Sequence, residues 1–112
     1  MIKPVKIALA CGKETKFLFP DEIIYCQSEG NYTVFYLTDH KKLMFTKSLK
    51  EVCSMLPQDH FIRIHHSFAI NLSYAEKLIE KGNEHELVLS AGVSLPVSRR
   101  KKADFLARFS RL

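Results

Sequence analysis

Apolar positions along the chain fall in short runs, each closed by residues that turn the backbone. Runs at 5–10, 15–19, 22–28, 32–38, 42–46, 61–65, 67–71, 75–79, 86–90 and 94–97 are rich in Val, Ile, Leu, Phe and Tyr. Between them stand Gly12-Lys13, Pro20-Asp21, Gly30-Asn31, Asp39-His40, Gly82-Asn83 and Gly92, which supply turn chemistry. This is the pattern of strands joined by turns. Links so short pair neighbours antiparallel, because parallel pairing needs a long crossover. The expected fold is mostly β: about ten strands in antiparallel sheets, with one short helix and a C-terminal helical segment.

Those two segments break the strand pattern. Ser48-Leu49-Lys50-Glu51 has the form of a capping box, in which the serine and glutamate side chains satisfy free amides at a helix start. Leu49, Val52, Cys53 and Leu56 follow at helical spacing, and Pro57 ends the helix. The second segment begins after Ser98 and reads as helical to the C-terminus, with Phe105, Leu106, Phe109 and Leu112 as its apolar stripe. Arg99, Arg100, Lys101 and Lys102 crowd its first turn, where the helix dipole disfavours cations. A helix shaped only for stability would carry acids there. The reversed charge points to an external anion such as phosphate; a solvated, frayed start is the plainer alternative.

Composition narrows the class. The 112 residues suit one domain over 1–112, and 46% hydrophobic with 26% charged residues describes an ordinary globule. No run is long enough to span a membrane, and residues 1–10 lack the apolar core and cleavage site of a leader. A cytoplasmic chain without membrane association is expected. Cys11, Cys26 and Cys53 have neither the even number of a disulfide framework nor the paired spacing of a zinc site. They read as reduced, apolar thiols, and no cofactor or metal is expected. Seventeen Lys and Arg against twelve Asp and Glu give a net charge of +5 and a pI near 9.2. That balance bears on nucleic acid only where the charge is clustered. Here it gathers in the run 99–102 and in a looser group of Lys41, Lys42, Lys47 and Lys50.

The densest stretch is Phe61-Ile62-Arg63-Ile64-His65-His66-Ser67-Phe68-Ala69-Ile70-Asn71. Ile62 and Ile64 alternate with Arg63 and His65 as on a two-faced strand, and Phe68 and Ile70 resume the apolar pattern. His65-His66-Ser67 is thus a polar corner between two strands, where loops present side chains to partners. Arg63 is a candidate structural ion-pair partner. Asn71, closing a strand, is a candidate for bonding neighbouring backbone.

Several pieces in order carry a resemblance. They are Asp21-Glu22-Ile23-Ile24-Tyr25 with Glu29-Gly30-Asn31-Tyr32, Ser48-Leu49-Lys50-Glu51, Phe61-x-Arg63-x-His65-x-Ser67, Asn71, and Pro96-Val97-Ser98-Arg99-Arg100. Over residues 3–109 the chain resembles the LytTR-type DNA-binding domains of bacterial response regulators. The resemblance implies an elongated ten-stranded fold whose loops enter successive major grooves of duplex DNA. Carried over by position, it implies base contacts from Asn31, His66 and Arg99. It implies phosphate contacts from Lys47, Ser48, His65, Ser67, Arg100 and Lys101. It further implies repeated half-sites, a homodimer on DNA, and transcription regulation as the output of a two-component system. No receiver domain is expected within this chain, which reads either as a piece of a longer response regulator or as a stand-alone domain.

His66 departs from the arginine that many members of the family carry at that position, and from the asparagine that some carry. Arginine pairs bidentately with guanine, whereas a neutral imidazole offers one donor and one acceptor, so a different or weaker reading is expected there. Asn31 suits adenine and Arg99 suits guanine. Asn31 has a second reading, as a turn residue that tolerates positive φ.

Two other function classes stand beside this one. An enzyme would use His65, His66 or Ser67, or a histidine with a cysteine, as base and nucleophile. Adjacent strand residues point to opposite faces, however, and His40, His60, His65, His66 and His85 show no metal spacing. An RNA-binding or protein-interaction β module would offer Tyr25, Tyr32, Phe35 and Tyr36 as a stacking platform. These aromatics sit in apolar strands and read better as core.

Overall fold

The computed structural model describes residues 5–90 and 92–112. Ten strands form: β1 (Ile7–Cys11), β2 (Glu14–Leu18), β3 (Ile23–Glu29), β4 (Tyr32–Leu37), β5 (Lys42–Phe45), β6 (Phe61–His65), β7 (Phe68–Asn71), β8 (Ala75–Lys81), β9 (Glu84–Leu89) and β10 (Ser94–Val97). Helix α1 (Leu49–Met55) links β5 to β6, and α2 (Arg99–Leu106) follows β10. The strands make a ribbon β1-β2, a central sheet β5-β4-β3-β7-β6 and a sheet β10-β9-β8. Every pairing is antiparallel.

The central sheet is the middle layer of a flat molecule of 46 × 39 × 24 Å. One face packs Ile23, Cys26, Phe35, Phe45 and Ala69 against Leu49, Val52 and Leu56 of α1 and Leu9 of β1. The other packs Tyr25, Ile64 and Ile70 against Leu87, Leu89, Leu95, Val97 and Phe105 from the second sheet and α2. Both faces are covered, which is why Ile23–Cys26 is apolar without alternation.

Asn71 is fully buried where these layers meet. Its Nδ2 donates to the carbonyls of Pro20 and Ile23, each at 3.1 Å, and its Oδ1 accepts from Ser73 N–H at 3.0 Å. The local bond expected from sequence is present, but two of the three tie strand β7 to the start of β3.

Three expectations are corrected in detail. Only half of the capping box at α1 forms: Ser48 Oγ accepts from Glu51 N–H at 3.3 Å and itself lies 3.4 Å from the Glu51 carboxylate. Helix α2 ends at Leu106 rather than running to the terminus, because bonds of 3₁₀ type from Arg108 N–H and Phe109 N–H tighten its last turn. Phe105 is buried, while Phe109 leans on its ring at 5.2 Å and Leu112 lies fully in solvent. The β8–β9 hairpin is longer than its apolar runs, extended by the pair Lys81–Glu86 at 2.7 Å and by Glu80 with His85 at 3.3 Å.

Candidate nucleic-acid interface

Antiparallel register places four connections at one end of the central sheet. Glu29 pairs with Tyr32 around the turn Gly30-Asn31, and Thr33, next along β4, pairs with Phe45 at the end of β5. Thr33 Oγ1 then donates to the Lys47 carbonyl at 2.8 Å, holding the β5–α1 link beside that turn. On the other flank, Gln27 pairs with Phe68, and Ser28 N–H donates to the Ser67 carbonyl at 2.9 Å. The β6–β7 corner therefore abuts the same turn. Finally Ser98 N–H donates to the Ile64 carbonyl at 2.9 Å, which brings the start of α2 to the end of β6. Asn31, Lys47, Ser48, His65, His66, Ser67, Arg99, Arg100 and Lys101 all lie on these four connections.

The first connection is shaped by glycine. Gly30 takes φ 61°, and Asn31 is not among the residues with positive φ. Glycine at the first central position is the requirement of a type II′ turn, which suits strand twist. The turn reading of Asn31 is thereby overturned. Its side chain is exposed and makes no hydrogen bond to a described residue.

The β6–β7 corner has no positive φ at all. Its two-residue turn His66-Ser67 follows a register shift between Arg63 and His65, so Ile64 is an extra residue in β6. Such a bulge bends its strand and leaves a backbone group unpaired; here the Ile64 carbonyl takes the Ser98 N–H. Arg63 reaches along the strand, donating from Nε to the His65 carbonyl at 3.3 Å and from Nη2 to the His66 carbonyl at 2.5 Å. The ion-pair reading of Arg63 is corrected: its partners are neutral carbonyls of the corner itself. Ser67 N–H donates to His65 Nδ1 at 3.0 Å, which requires that nitrogen to be unprotonated and puts the ring proton on Nε2. The His66 side chain is exposed and makes no hydrogen bond to a described residue.

Charge at this end is unevenly committed. Arg99 and Arg100 are exposed and have no carboxylate partner among the described residues. Lys102 is drawn away, donating to Glu80 at 3.1 Å. Glu80 also meets His85, and these bonds, Lys102 first, hold its carboxyl below the usual range. The basic run is therefore split, with Arg99, Arg100 and Lys101 left without a carboxylate partner among the described residues. Lys47 pairs with Glu51 at 3.7 Å, both largely exposed, an arrangement that contributes little stability and is easily exchanged. Ser48 Oγ is occupied at the helix cap.

The looser lysine group does not form one patch. Lys42 pairs with Tyr36 at the far end of the sheet, its ammonium 5.3 Å from that ring, and Lys41 stands beside it. The aromatic platform is likewise occupied internally: Tyr25 stacks on Tyr36 at 4.3 Å, Phe35 is fully buried, and Tyr32 alone of the four is exposed. Burial, and then Tyr36 alongside, pushes the Tyr25 phenol up to about 12. Cys26 is enclosed in the core, and burial raises its thiol well above the ordinary value. An apolar pocket of about 280 Å³ lies away from the four connections, between β1 and α1. Among the described residues no three His, Cys, Asp or Glu side chains gather as a metal site. No helix of these residues is long and apolar enough to cross a membrane.

Comparison with known proteins gives the family and the fold. A family model described as the LytTr DNA-binding domain matches residues 13–110. The sensory transduction protein LytT of Bacillus subtilis is 30% identical over 95 residues, covering 84% of this chain and 39% of that protein. The transcriptional regulatory protein YpdB of Escherichia coli K12 is 31% identical over 88 residues, covering 76% of this chain and 35% of that protein. The chain thus spans well under half the length of these relatives. A solved structure, the LytTr DNA-binding domain of a methyl-accepting/DNA response regulator from Bacillus cereus, superposes with a TM-score of 0.78. It covers 95% of this chain and 97% of that one at 20% identity, a likeness of fold.

Proposed function

The chain belongs to the LytTr DNA-binding domain family, and on that footing we propose that its four-loop end reads duplex DNA by sequence in transcription regulation. The observation that carries this reading is the convergence of Asn31, His66 and Arg99 on one end of the central sheet, each exposed and free of internal bonds. Unpaired amide, imidazole and guanidinium groups on such a surface have no structural task, and all are groups that read base edges in the major groove. Lys47, Ser48, His65, Ser67, Arg100 and Lys101 flank them and take phosphates, with His65 offering its Nε2–H. Loops from this end enter successive major grooves, which lie about 34 Å apart along the duplex.

The chain acts as the output domain of a two-component response regulator in the cytoplasm, bound to repeated half-sites as a homodimer. In vitro selection of bound duplexes, followed by affinity measurement across salt, tests this reading. The expected result is a recovered motif with a repeat, and affinity for every duplex that falls as salt rises, because phosphate contacts release counterions. Recovery of no motif, or binding indifferent to salt, would count against it.

A further inference from the structure

Arg63 is a charged residue near the reading end that no DNA contact claims, and its bonds are specific. Both go to consecutive carbonyls of the corner, His65 at 3.3 Å and His66 at 2.5 Å. The corner between β6 and β7 lacks the glycine or positive φ that sets the Gly30 turn. Its shape therefore rests on hydrogen bonds from side chains and from neighbouring backbone. Three bonds meet there besides those of Arg63: Ser67 N–H to His65 Nδ1, Ser28 N–H to the Ser67 carbonyl, and Ser98 N–H to the Ile64 carbonyl. The first fixes the turn, the second fastens it to the strand that carries Asn31, and the third fastens it to the helix that carries Arg99.

We infer that Arg63 is a positioning residue for sequence readout: its guanidinium clamps the corner and so fixes where His66 stands relative to Asn31 and Arg99. The clamp needs the planar fork of arginine, since two N–H groups on one edge of the guanidinium must meet two carbonyls of one turn. A lysine keeps the charge at this place but offers a single flexible ammonium. The guanidinium is half-buried and spends two donors internally, unlike the free side chains of Arg99 and Arg100. It acts on the DNA through the corner. This inference rests on the four-loop end being the DNA interface.

The test compares wild type, Arg63→Lys and Arg63→Met on the motif recovered by selection and on random duplex, across a salt series, with thermal melting of each chain. If Arg63 positions the corner, both variants lose about tenfold in affinity for the motif, the scale of one charge-assisted hydrogen bond. Affinity for random duplex and the salt slope stay at the wild-type value for Arg63→Lys. Reselection with that variant returns a motif relaxed at the step read by His66 and unchanged elsewhere. Three results overturn the clamp. One is Arg63→Lys keeping wild-type affinity and preference. Another is Arg63→Met losing equally on both duplexes with a salt slope shallower by about one unit, the mark of a phosphate contact. The third is a lowered melting temperature with an unchanged ratio of motif to random binding, the mark of a purely structural residue. A wild-type chain that selects no motif overturns the interface reading and the clamp with it, whereas a clear motif with an indifferent Arg63→Lys overturns the clamp alone.

Discussion

Gly30 and Asn31 share one turn but answer to different demands, and substitution separates them. Gly30→Ala puts a side chain at φ 61°, where open space surrounds the new methyl, so backbone strain of about 1–2 kcal/mol is the whole cost. Asn31→Ala leaves the backbone unstrained and is expected to melt as wild type while weakening DNA binding. Urea unfolding and affinity measured on both variants check this; a destabilised Asn31→Ala would restore the turn reading. Arg99→Ala should cost about 1–3 kcal/mol on the selected motif and relax preference at one base, while Lys101→Ala should weaken all duplexes alike. Equal losses for both on motif and random DNA would erase the distinction between reading and holding. Tyr25 gives a pH prediction. Its phenol stays neutral in the fold up to about 12, whereas the unfolded chain ionises near the ordinary tyrosine value of 10.0. The unfolded state then releases the proton first, so stability falls as pH rises between those values. Alkaline unfolding of Tyr25→Phe should show less of this slope.

Elements show what the sequence made legible. All ten strands and both helix starts follow from turn residues, apolar runs and capping serines, because these act over a few residues. The bulge at Ile64 did not show, since an extra residue in a two-faced strand leaves the local pattern intact. Nor did the partners of Arg63 and Asn71: a carbonyl is present at every residue, and only the fold decides which ones come within reach. Lengthening of β8 and β9 was hidden because their ends are held by charged pairs rather than apolar side chains. The convergence of Asn31, His66 and Arg99 was expected only through the resemblance, because these positions are 33 or more residues apart in the chain. Removal of the cap at α2 tests one of the joints between elements. Ser98→Ala loses the bond to Lys101 N–H and should destabilise the chain by about 1 kcal/mol. The backbone bond of residue 98 to Ile64 survives in that variant, so motif preference should persist; loss of preference would mean that the cap itself orders Arg99.

At the scale of the molecule, a central sheet covered on both faces gives the reading end a stiff support. It also separates the cations by distance. Lys41 and Lys42, at the far end of that sheet, are expected to leave the salt dependence of binding untouched when changed to alanine. Arg100, Lys101 and Lys47 together correspond to a slope of about −3 in log affinity against log salt. A slope altered by Lys42→Ala would place DNA along the flank of the sheet instead. The corner at His66 carries a consequence of another kind. Every bond that shapes it ends on backbone or on the residues around His66, and none on the His66 side chain. Position 66 can thus change identity without disturbing the scaffold that presents it. On the proposed reading, a lineage carrying this fold can acquire a new operator preference by single substitutions at that position, each nearly neutral for folding, and gene duplicates can diverge in target while remaining equally stable proteins.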